Sequence, residues 1–189
     1  MADLSAMRRS PLEFLAKATQ TCAAAELALV PPATRLVLRC RPDATIAVGP
    51  SFGVALPDAC RAAVAGTRAA LWLGPDEWLL LAAANEAPAI TEQVSRSLAQ
   101  VSHSLVDVSH RSTALTVTGA QASVLINHGC PLDLSPATFP VGMCTRTLFG
   151  KAGIILWHTA EAYRLEIERS FAAYVWQMLV EARRELITP

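Results

Sequence analysis

The alternation of apolar and polar residues in the first third of the chain predicts paired strands. Residues 34–41 (TRLVLRCR) carry mainly apolar side chains on one face and mainly basic side chains on the other, which indicates a half-buried strand. Residues 46–48 predict a short return strand, and residues 52–57 (FGVALP) predict a loop. The apolar runs at residues 68–73 and 77–83 flank Gly74-Pro75-Asp76, so together they predict a hairpin.

The middle of the chain mixes helical and strand patterns. Apolar residues at helical spacing predict a helix over residues 88–100 and a shorter one over residues 120–128, with Gly129 as its C-terminal cap. A proline-rich loop follows at residues 130–140. Alternating patterns predict five more strands, at residues 103–108, 113–118, 144–149, 153–158 and 163–167. In the last of these strands we expect Arg164, Glu166 and Glu168 to face solvent.

The last helix follows Ser170, a residue type that favours the N-terminal cap. Its apolar stripe is expected to consist of Phe171, Tyr174, Val175, Met178, Leu179 and Ala182. The opposite side is also weakly polar, since it carries Ala172, Ala173, Trp176 and Val180. We therefore expect this helix to be buried on more than one side.

The order of elements has no regular strand–helix alternation, which predicts an α+β fold with antiparallel-rich sheets and packed helices. We predict an N-terminal arm over residues 1–33, a first α+β subdomain over residues 34–101 and a second over residues 102–189, forming one compact unit. Residues 1 to about 30 are expected to be peripheral, with a short helical piece that opens at Ser10-Pro11.

Composition narrows the classes of partner. The chain is 52% hydrophobic and only 17% charged, below the roughly 25% charged residues of an average soluble domain. Its 16 basic and 16 acidic residues produce no field of one sign, so neither nucleic acid nor membrane is predicted as a partner. Two explanations of the apolar composition stay open: another protein covers part of the surface, or abundant alanine raises the apolar count.

The cysteines point to a reducing compartment. The chain has five widely spaced cysteines and no C-x-x-C pair, which argues against a disulfide framework or a zinc site. Cys130 and Cys144 have no neighbouring cation pair or helix start that would lower a thiol pKa, so we expect both to be structural. The first twenty residues lack the long apolar core of a signal peptide, and the predicted location is the cytoplasm.

Two groups of histidine-containing residues are candidates for chemistry. His103 and Asp107 fall on one face of a predicted strand and His110 on the other, so a metal site is not expected. Ser109 and His110 are adjacent in sequence, whereas a nucleophile and its base normally come from separate positions, and a turn is predicted instead.

The glycine loops at residues 49–53 and 150–153 lack the spacing of phosphate-binding motifs. Trp72, Trp78, Trp176 and Met178 are expected in the core or at an interface. We predict no catalytic, cofactor-binding or metal-binding residue on this chain.

Five segments together carry a resemblance to a known family. They are residues 52–57 (FGVALP), 71–81 (LWLGPDEWLLL), 106–134 (VDVSHRSTALTVTGAQASVLINHGCPLDL), 146–147 (RT) and 169–182 (RSFAAYVWQMLVEA). In order and spacing they resemble the gamma subunits of heterotetrameric sarcosine oxidases, from about residue 34 to residue 184.

The resemblance implies a non-catalytic structural subunit in a complex. That complex oxidises sarcosine to glycine, passes the one-carbon unit to tetrahydrofolate and forms hydrogen peroxide. The implied partners are alpha- and beta-like large subunits, which bind NAD, FAD, FMN and tetrahydrofolate, and a small zinc-binding delta-like subunit. We expect the interface on the last helix, the Trp72–Trp78 hairpin and the loop at residues 130–140.

The segment at residues 106–134 is also similar to the aminomethyltransferases (glycine-cleavage T-proteins), whose fold contains ferredoxin-like halves. In those enzymes a Gly-Gly-Ile strand runs into acidic residues. Here Ala152-Gly153-Ile154-Ile155 runs into Leu156 and Trp157, which implies that the chain kept the fold and lost the chemistry. Two alternatives remain: a stand-alone folate-binding or one-carbon transfer protein, and a metal-dependent hydrolase built on the histidines.

Overall fold

A computed structural model describes residues 11–17 and 22–187. A short 3₁₀ turn (Pro42–Ala44) precedes the second helix. The helices and strands, in chain order, are α1 (Glu13–Lys17), β1 (Glu26–Leu29), β2 (Thr34–Cys40), α2 (Thr45–Phe52), β3 (Ala62–Ala65), β4 (Arg68–Gly74), β5 (Glu77–Ala82), α3 (Ala87–Ser97), β6 (His103–Asp107), β7 (Ser112–Thr118), α4 (Ala122–Asn127), β8 (Cys144–Phe149), β9 (Ala152–His158), β10 (Tyr163–Glu168) and α5 (Ala172–Ile187).

The strands form two five-stranded antiparallel sheets, which confirms the predicted α+β class. The first sheet has the order β3-β4-β5-β2-β6 and the second the order β1-β7-β10-β9-β8. Within the first sheet, β2-α2-β4-β5-α3-β6 is a ferredoxin-like unit extended at one edge by β3. The second sheet repeats this arrangement with β7-α4-β9-β10-α5, extended by β8, and takes its fourth strand, β1, from the N-terminal part of the chain.

Strand pairing crosses both of the predicted domain boundaries. β1 lies within the predicted arm and pairs with β7, while β6 lies within the predicted second subdomain and pairs with β2. Leu12 and Ala25 are fully buried in the core of the second sheet. Leu12, Ala25 and β1 are therefore not peripheral, contrary to expectation, while residues 1–10 and 18–21 of the arm lie outside the described part. The division at residues 33 and 101 itself stays a prediction.

The two sheets pack face to face between two layers of helices. Helices α2 and α3 share one hydrophobic cluster with the outer face of the first sheet, and α4 and α5 share another with the second sheet. A third cluster joins the inner faces through β4, β5, β8 and β9, where Leu71 and Leu79 meet Cys144 and Trp157. Strands β4, β5, β8 and β9 are therefore covered on both sides over part of their length.

Residues 46–48 belong to a helix, so the predicted return strand is wrong. Pro42 starts the 3₁₀ turn that leads into α2, and Gly53 ends the helix in the left-handed conformation with φ of 83°. Phe52, predicted to be in a loop, is the last helical residue and is fully buried. A proline at a helix start and a glycine after its end are typical boundary signals.

The buried stripe of α5 differs from the predicted one. Ala172, Val175, Trp176 and Leu179 are buried, whereas Phe171 precedes the helix and is 40% exposed. Trp176 therefore belongs to the core face, not to a second side. The partly buried Tyr174 and Met178 pack beside that face, against the β8–β9 turn, where the Lys151 amide donates a hydrogen bond to the Tyr174 hydroxyl at 3.2 Å.

Candidate functional site

A cleft of about 470 Å³ opens where the two sheets diverge, and we call it the intersheet cleft. Its walls come from the extended segment 30–35, residues 84–88 and the crossing at residues 107–113, which leads from the first sheet to the second. Four prolines contribute apolar surface: Pro11, Pro31, Pro32 and Pro88. The main polar lining residues are Arg35, Asn85, Asp107, Ser109, His110 and Arg169.

A buried ion pair lies beside this cleft. Arg35 Nε on β2 is 2.6 Å from Glu166 Oε2 on β10, and the two side chains are only 3% and 2% exposed. Arg164 Nη2 approaches the other carboxylate oxygen at 2.5 Å. The alternating pattern of β2 predicted a half-buried strand whose basic side chains lie on the unburied face, and Glu166 was expected to face solvent. Both expectations are wrong at these positions because each residue lies on an inner face that the opposing sheet covers.

A chain of hydrogen bonds from Asp107 through Ser109 to Arg35 fixes the crossing at residues 107–113. Asp107 Oδ1 accepts hydrogen bonds from the backbone amide of Ser109 at 2.9 Å and from its hydroxyl at 2.5 Å. The Ser109 hydroxyl oxygen in turn accepts one from the backbone amide of Arg35 at 2.9 Å. Asp107 and Ser109 therefore shape the turn. The Ser109 hydroxyl donates to a carboxylate and not to a neighbouring imidazole.

The histidines considered for metal binding do not converge. His103 Nδ1 lies 2.8 Å from the carbonyl oxygen of Val101, and His110 is exposed at the cleft. Across residues 11–17 and 22–187, no three His, Cys, Asp or Glu side chains are arranged to hold a metal ion. No helix in the same part of the chain is long and apolar enough to cross a bilayer.

All five cysteines are free thiols. Cys144 lies at the junction of the two sheets, where its thiol donates to the carbonyl oxygen of Arg61 at 3.1 Å. Burial raises the pKa of this thiol to about 12. Cys130 is also buried, in the core of the second sheet. The raised pKa of Cys144 does not suit nucleophilic chemistry, because the thiolate is the reactive form.

The glycine-containing segments at residues 49–53 and 150–153 belong to a helix and its end and to a β-turn. Gly49 lies within α2 and Gly53 ends that helix. Gly150 and Lys151 form the tight turn between β8 and β9, with Gly150 in the left-handed conformation at φ of 57°.

Several large side chains of the three predicted interface elements lie in the chain's own core. Trp78 is 4% exposed and its indole N–H donates to the carbonyl oxygen of Pro57. Trp176 in α5 is 2% exposed, and Leu134 and Phe139 in the loop at residues 130–140 are each 1% exposed. The predicted placement of the interface stays a prediction, but these anchors are already packed within the chain.

The exposed surface around Ile46 was not predicted from the sequence. Ile46 on α2 is 84% exposed, the highest value among the large hydrophobic residues in the described part of the chain. The signal for this surface was the helix itself, bounded by Pro42 and Gly53, because a helix places Ile46 on the side opposite the buried Val48 and Phe52.

Comparison with known proteins identifies the family. The sequence model described as "Sarcosine oxidase, gamma subunit family" matches residues 39–185. The chain belongs to this family. It is 34% identical to the sarcosine oxidase subunit gamma of Corynebacterium sp. (strain U-96), over 98% of this chain and 94% of that protein. The family resemblance drawn from the five sequence segments is confirmed.

Solved structures agree with this assignment. A chain of the heterotetrameric sarcosine oxidase from Corynebacterium sp. U-96, in complex with pyrrole 2-carboxylate, matches with a TM-score of 0.88 at 30% identity. The match covers 97% of this chain and 98% of that one. The glycine cleavage system aminomethyltransferase T from Bartonella henselae matches with a TM-score of 0.64 at 12% identity, over 85% of this chain and 46% of that one. This second likeness confirms the predicted relation to the T-protein fold and extends to the fold alone.

Proposed function

We propose that this chain is a non-catalytic structural subunit of a heterotetrameric sarcosine oxidase. The observation that carries the proposal is the match, over 97% of this chain, to a chain of such an enzyme with a TM-score of 0.88. Similarity over nearly the full length of both chains supports a role equivalent to that of the gamma subunit.

In this proposal the redox and one-carbon chemistry belongs to other chains. Alpha- and beta-like large subunits bind NAD, FAD, FMN and tetrahydrofolate, and a small delta-like subunit binds zinc. The assembled complex oxidises sarcosine to glycine in the cytoplasm, passes the one-carbon unit to tetrahydrofolate and releases hydrogen peroxide. The present chain stabilises the assembly.

The candidate polar groups of this chain support a structural role. Arg35 and Glu166 hold the two sheets together, and Asp107 and Ser109 hold the crossing between them. Leu156, in the strand that resembles the acidic strand of the transferases, is fully buried, and Trp157 is only 8% exposed. Both side chains pack in hydrophobic clusters, which is a structural use of these positions.

Co-expression with the large subunits of the same organism tests the proposal. We expect the chain to co-elute with them on a sizing column and the purified complex to release peroxide when sarcosine is added. Omitting this chain from the co-expression should lower the yield of assembled large subunits. Clean separation of the chain from large subunits that assemble normally without it contradicts the proposal.

The intersheet cleft favours a second candidate function, a stand-alone folate-binding or one-carbon transfer protein. A volume of about 470 Å³ is within the range of small-molecule sites, and the cleft combines apolar proline rings with polar side chains. Titration calorimetry of the isolated chain with tetrahydrofolate separates the two functions. Saturable heat with a stoichiometry of one supports this candidate, and the absence of heat removes it.

A further inference from the structure

Helix α2 has an apolar outer surface that no other described residue of the chain covers. Its sequence, TIAVGPSF, contains no charged side chain. Val48 and Phe52 are fully buried on its inner side, while Ile46, Ala47 and Pro50 are exposed on its outer side. Surface helices ordinarily carry charged and polar residues toward solvent, and a helix that is apolar on all sides is typical of a buried position.

A shallow concavity of about 540 Å³ lies beside Ile46. Small residues form much of its lining: Gly49, Gly53 and Ala55, with Leu56 alongside. Gly53 reverses the chain with φ of 83°, so that Ala55 returns next to Gly49, where a Cβ on the glycine would lie 3.5 Å from the Ala55 Cα. Interfaces concentrate their binding energy where an aliphatic or aromatic side chain fills such a pocket.

The charges at the start of α2 neutralise each other. Arg41 Nη2 lies 2.9 Å from Asp43 Oδ2, and both side chains are largely exposed. The surface around Ile46 therefore carries an ion pair at its edge and no net charge from these two residues. Depletion of charge at an apolar centre, with polar groups at the rim, is typical of stable protein interfaces.

We propose that this surface, formed by Ile46, Ala47, Pro50 and the concavity beside them and here called the α2 face, is where a large subunit of the complex packs. An apolar side chain of that subunit occupies the concavity. The inference rests on the proposed function, because the matched structure is a heterotetramer and its partners are different chains. Eight helical residues span only about 12 Å, and a stable interface buries roughly 800 Å² per partner, so the contact extends beyond the α2 face.

A charge placed on the α2 face tests the inference. We would co-express Ile46→Asp with tagged large subunits and measure how much of the chain the tag recovers. The matched control is Val124→Asp, since Val124 on α4 is also an exposed β-branched residue, at 46%, but lies over the other sheet. We expect Ile46→Asp to reduce recovery by about tenfold or more, as loss of an interface anchor does, and Val124→Asp to leave it unchanged.

The outcomes separate this inference from the proposed function. Failure of the unmodified chain to associate with the large subunits removes the proposed function. Normal association of both the unmodified chain and Ile46→Asp overturns the α2 face alone. The α2 face as a heterologous contact is also overturned if the isolated chain is a dimer that Ile46→Asp converts to a monomer while recovery by the large subunits is unaffected.

A second measurement does not depend on an introduced charge. The substitution Ile46→Cys places a thiol at an exposed position, and mass spectrometry of the peptide that carries it reports its maleimide labelling separately from that of the native thiols. Labelling should be rapid in the isolated chain and at least several-fold slower in the complex. Equal labelling rates in the two states overturn the inference. Melting curves of the isolated variants show whether each one folds.

Discussion

Arg35 on β2 and Glu166 on β10 join the inner faces of the two sheets through a contact of 2.6 Å between Nε and Oε2. The two residues are separated by 131 positions in sequence, and each lies in a central strand of its own sheet. Arg164 contacts the second oxygen of the same carboxylate. The pairing links the two ferredoxin-like units beside the intersheet cleft.

Removal of one partner from this buried pair should destabilise the fold strongly. We expect Glu166→Leu to lower the free energy of unfolding by about 3–5 kcal/mol, because Arg35 and Arg164 lose their shared counter-ion. Urea denaturation of the purified chain measures the change. The control is Glu168→Leu in the exposed pair with Arg111, where a loss of about 1 kcal/mol or less is expected. Equal effects of the two variants contradict the assigned role.

A second intersheet contact should contribute to acid sensitivity. Arg146 on β8 donates hydrogen bonds to both carboxylate oxygens of Glu77 on β5, at 2.5 and 2.9 Å, and this hydrogen bonding lowers the pKa of Glu77. The pair therefore stabilises the fold above the ordinary Glu pKa of about 4.3, and the contribution is lost as the pH falls through the lowered value. Stability measured from pH 6 to pH 3 should fall less steeply in Glu77→Gln than in the unmodified chain. Parallel curves contradict this prediction.

The pair of His128 and Glu185, which joins the end of α4 to α5, should have the opposite pH dependence: its stabilising effect is lost as the pH rises. His128 Nδ1 faces the carbonyl oxygen of Val124 and Nε2 faces Glu185, so both ring nitrogens have acceptors. The Val124 hydrogen bond, followed by Glu185, raises the pKa of His128. The stabilisation is complete below the ordinary His pKa of about 6.5 and is lost as the pH rises through the raised value.

Because Glu185 is 75% exposed, the effect of this pair is small, about 1 kcal/mol or less. Proton NMR titration of the His128 ring should show a pKa above that of the same ring in Glu185→Gln. An unchanged or higher pKa in the variant contradicts the assignment.

The Cys144 thiol should be unreactive toward alkylating reagents in the native chain. Its pKa of about 12 and its buried position leave almost no accessible thiolate at neutral pH. Iodoacetamide treatment followed by mass spectrometry should leave Cys144 unmodified in buffer and modify it fully in denaturant. Rapid modification of the native protein contradicts the position of this thiol between the sheets.

Local patterns predicted most strands and helices because their periodicity depends only on neighbouring residues. The hairpin of β4 and β5 and the strands β8 to β10 follow the predicted positions closely. The face-to-face packing of the sheets is a long-range relationship, so Glu166 looked solvent-exposed from its own strand alone. The strand predicted at residues 46–48 failed because a short apolar run fits a strand and a buried helix equally well.

Which large apolar side chains are exposed also could not be predicted from local sequence patterns. Trp72, Trp78 and Trp176 were notable in the sequence for their size, yet Trp78 and Trp176 complete the chain's own core. Ile46 was not notable in sequence, and its exposure follows from the direction in which α2 packs on the first sheet. The family could be recognised from the sequence because several motifs kept their order and spacing. The exposure of a side chain could not be predicted in this way, because it depends on three-dimensional packing.

The most direct test of the proposed function is a pull-down of the tagged chain from its native cell, with mass spectrometry of the recovered proteins and an assay for sarcosine-dependent peroxide. We predict recovery of two large flavin-containing subunits in a fixed ratio to the chain, together with that activity. Recovery of the folded chain alone, from cells that contain active sarcosine oxidase, would contradict its role as a structural subunit.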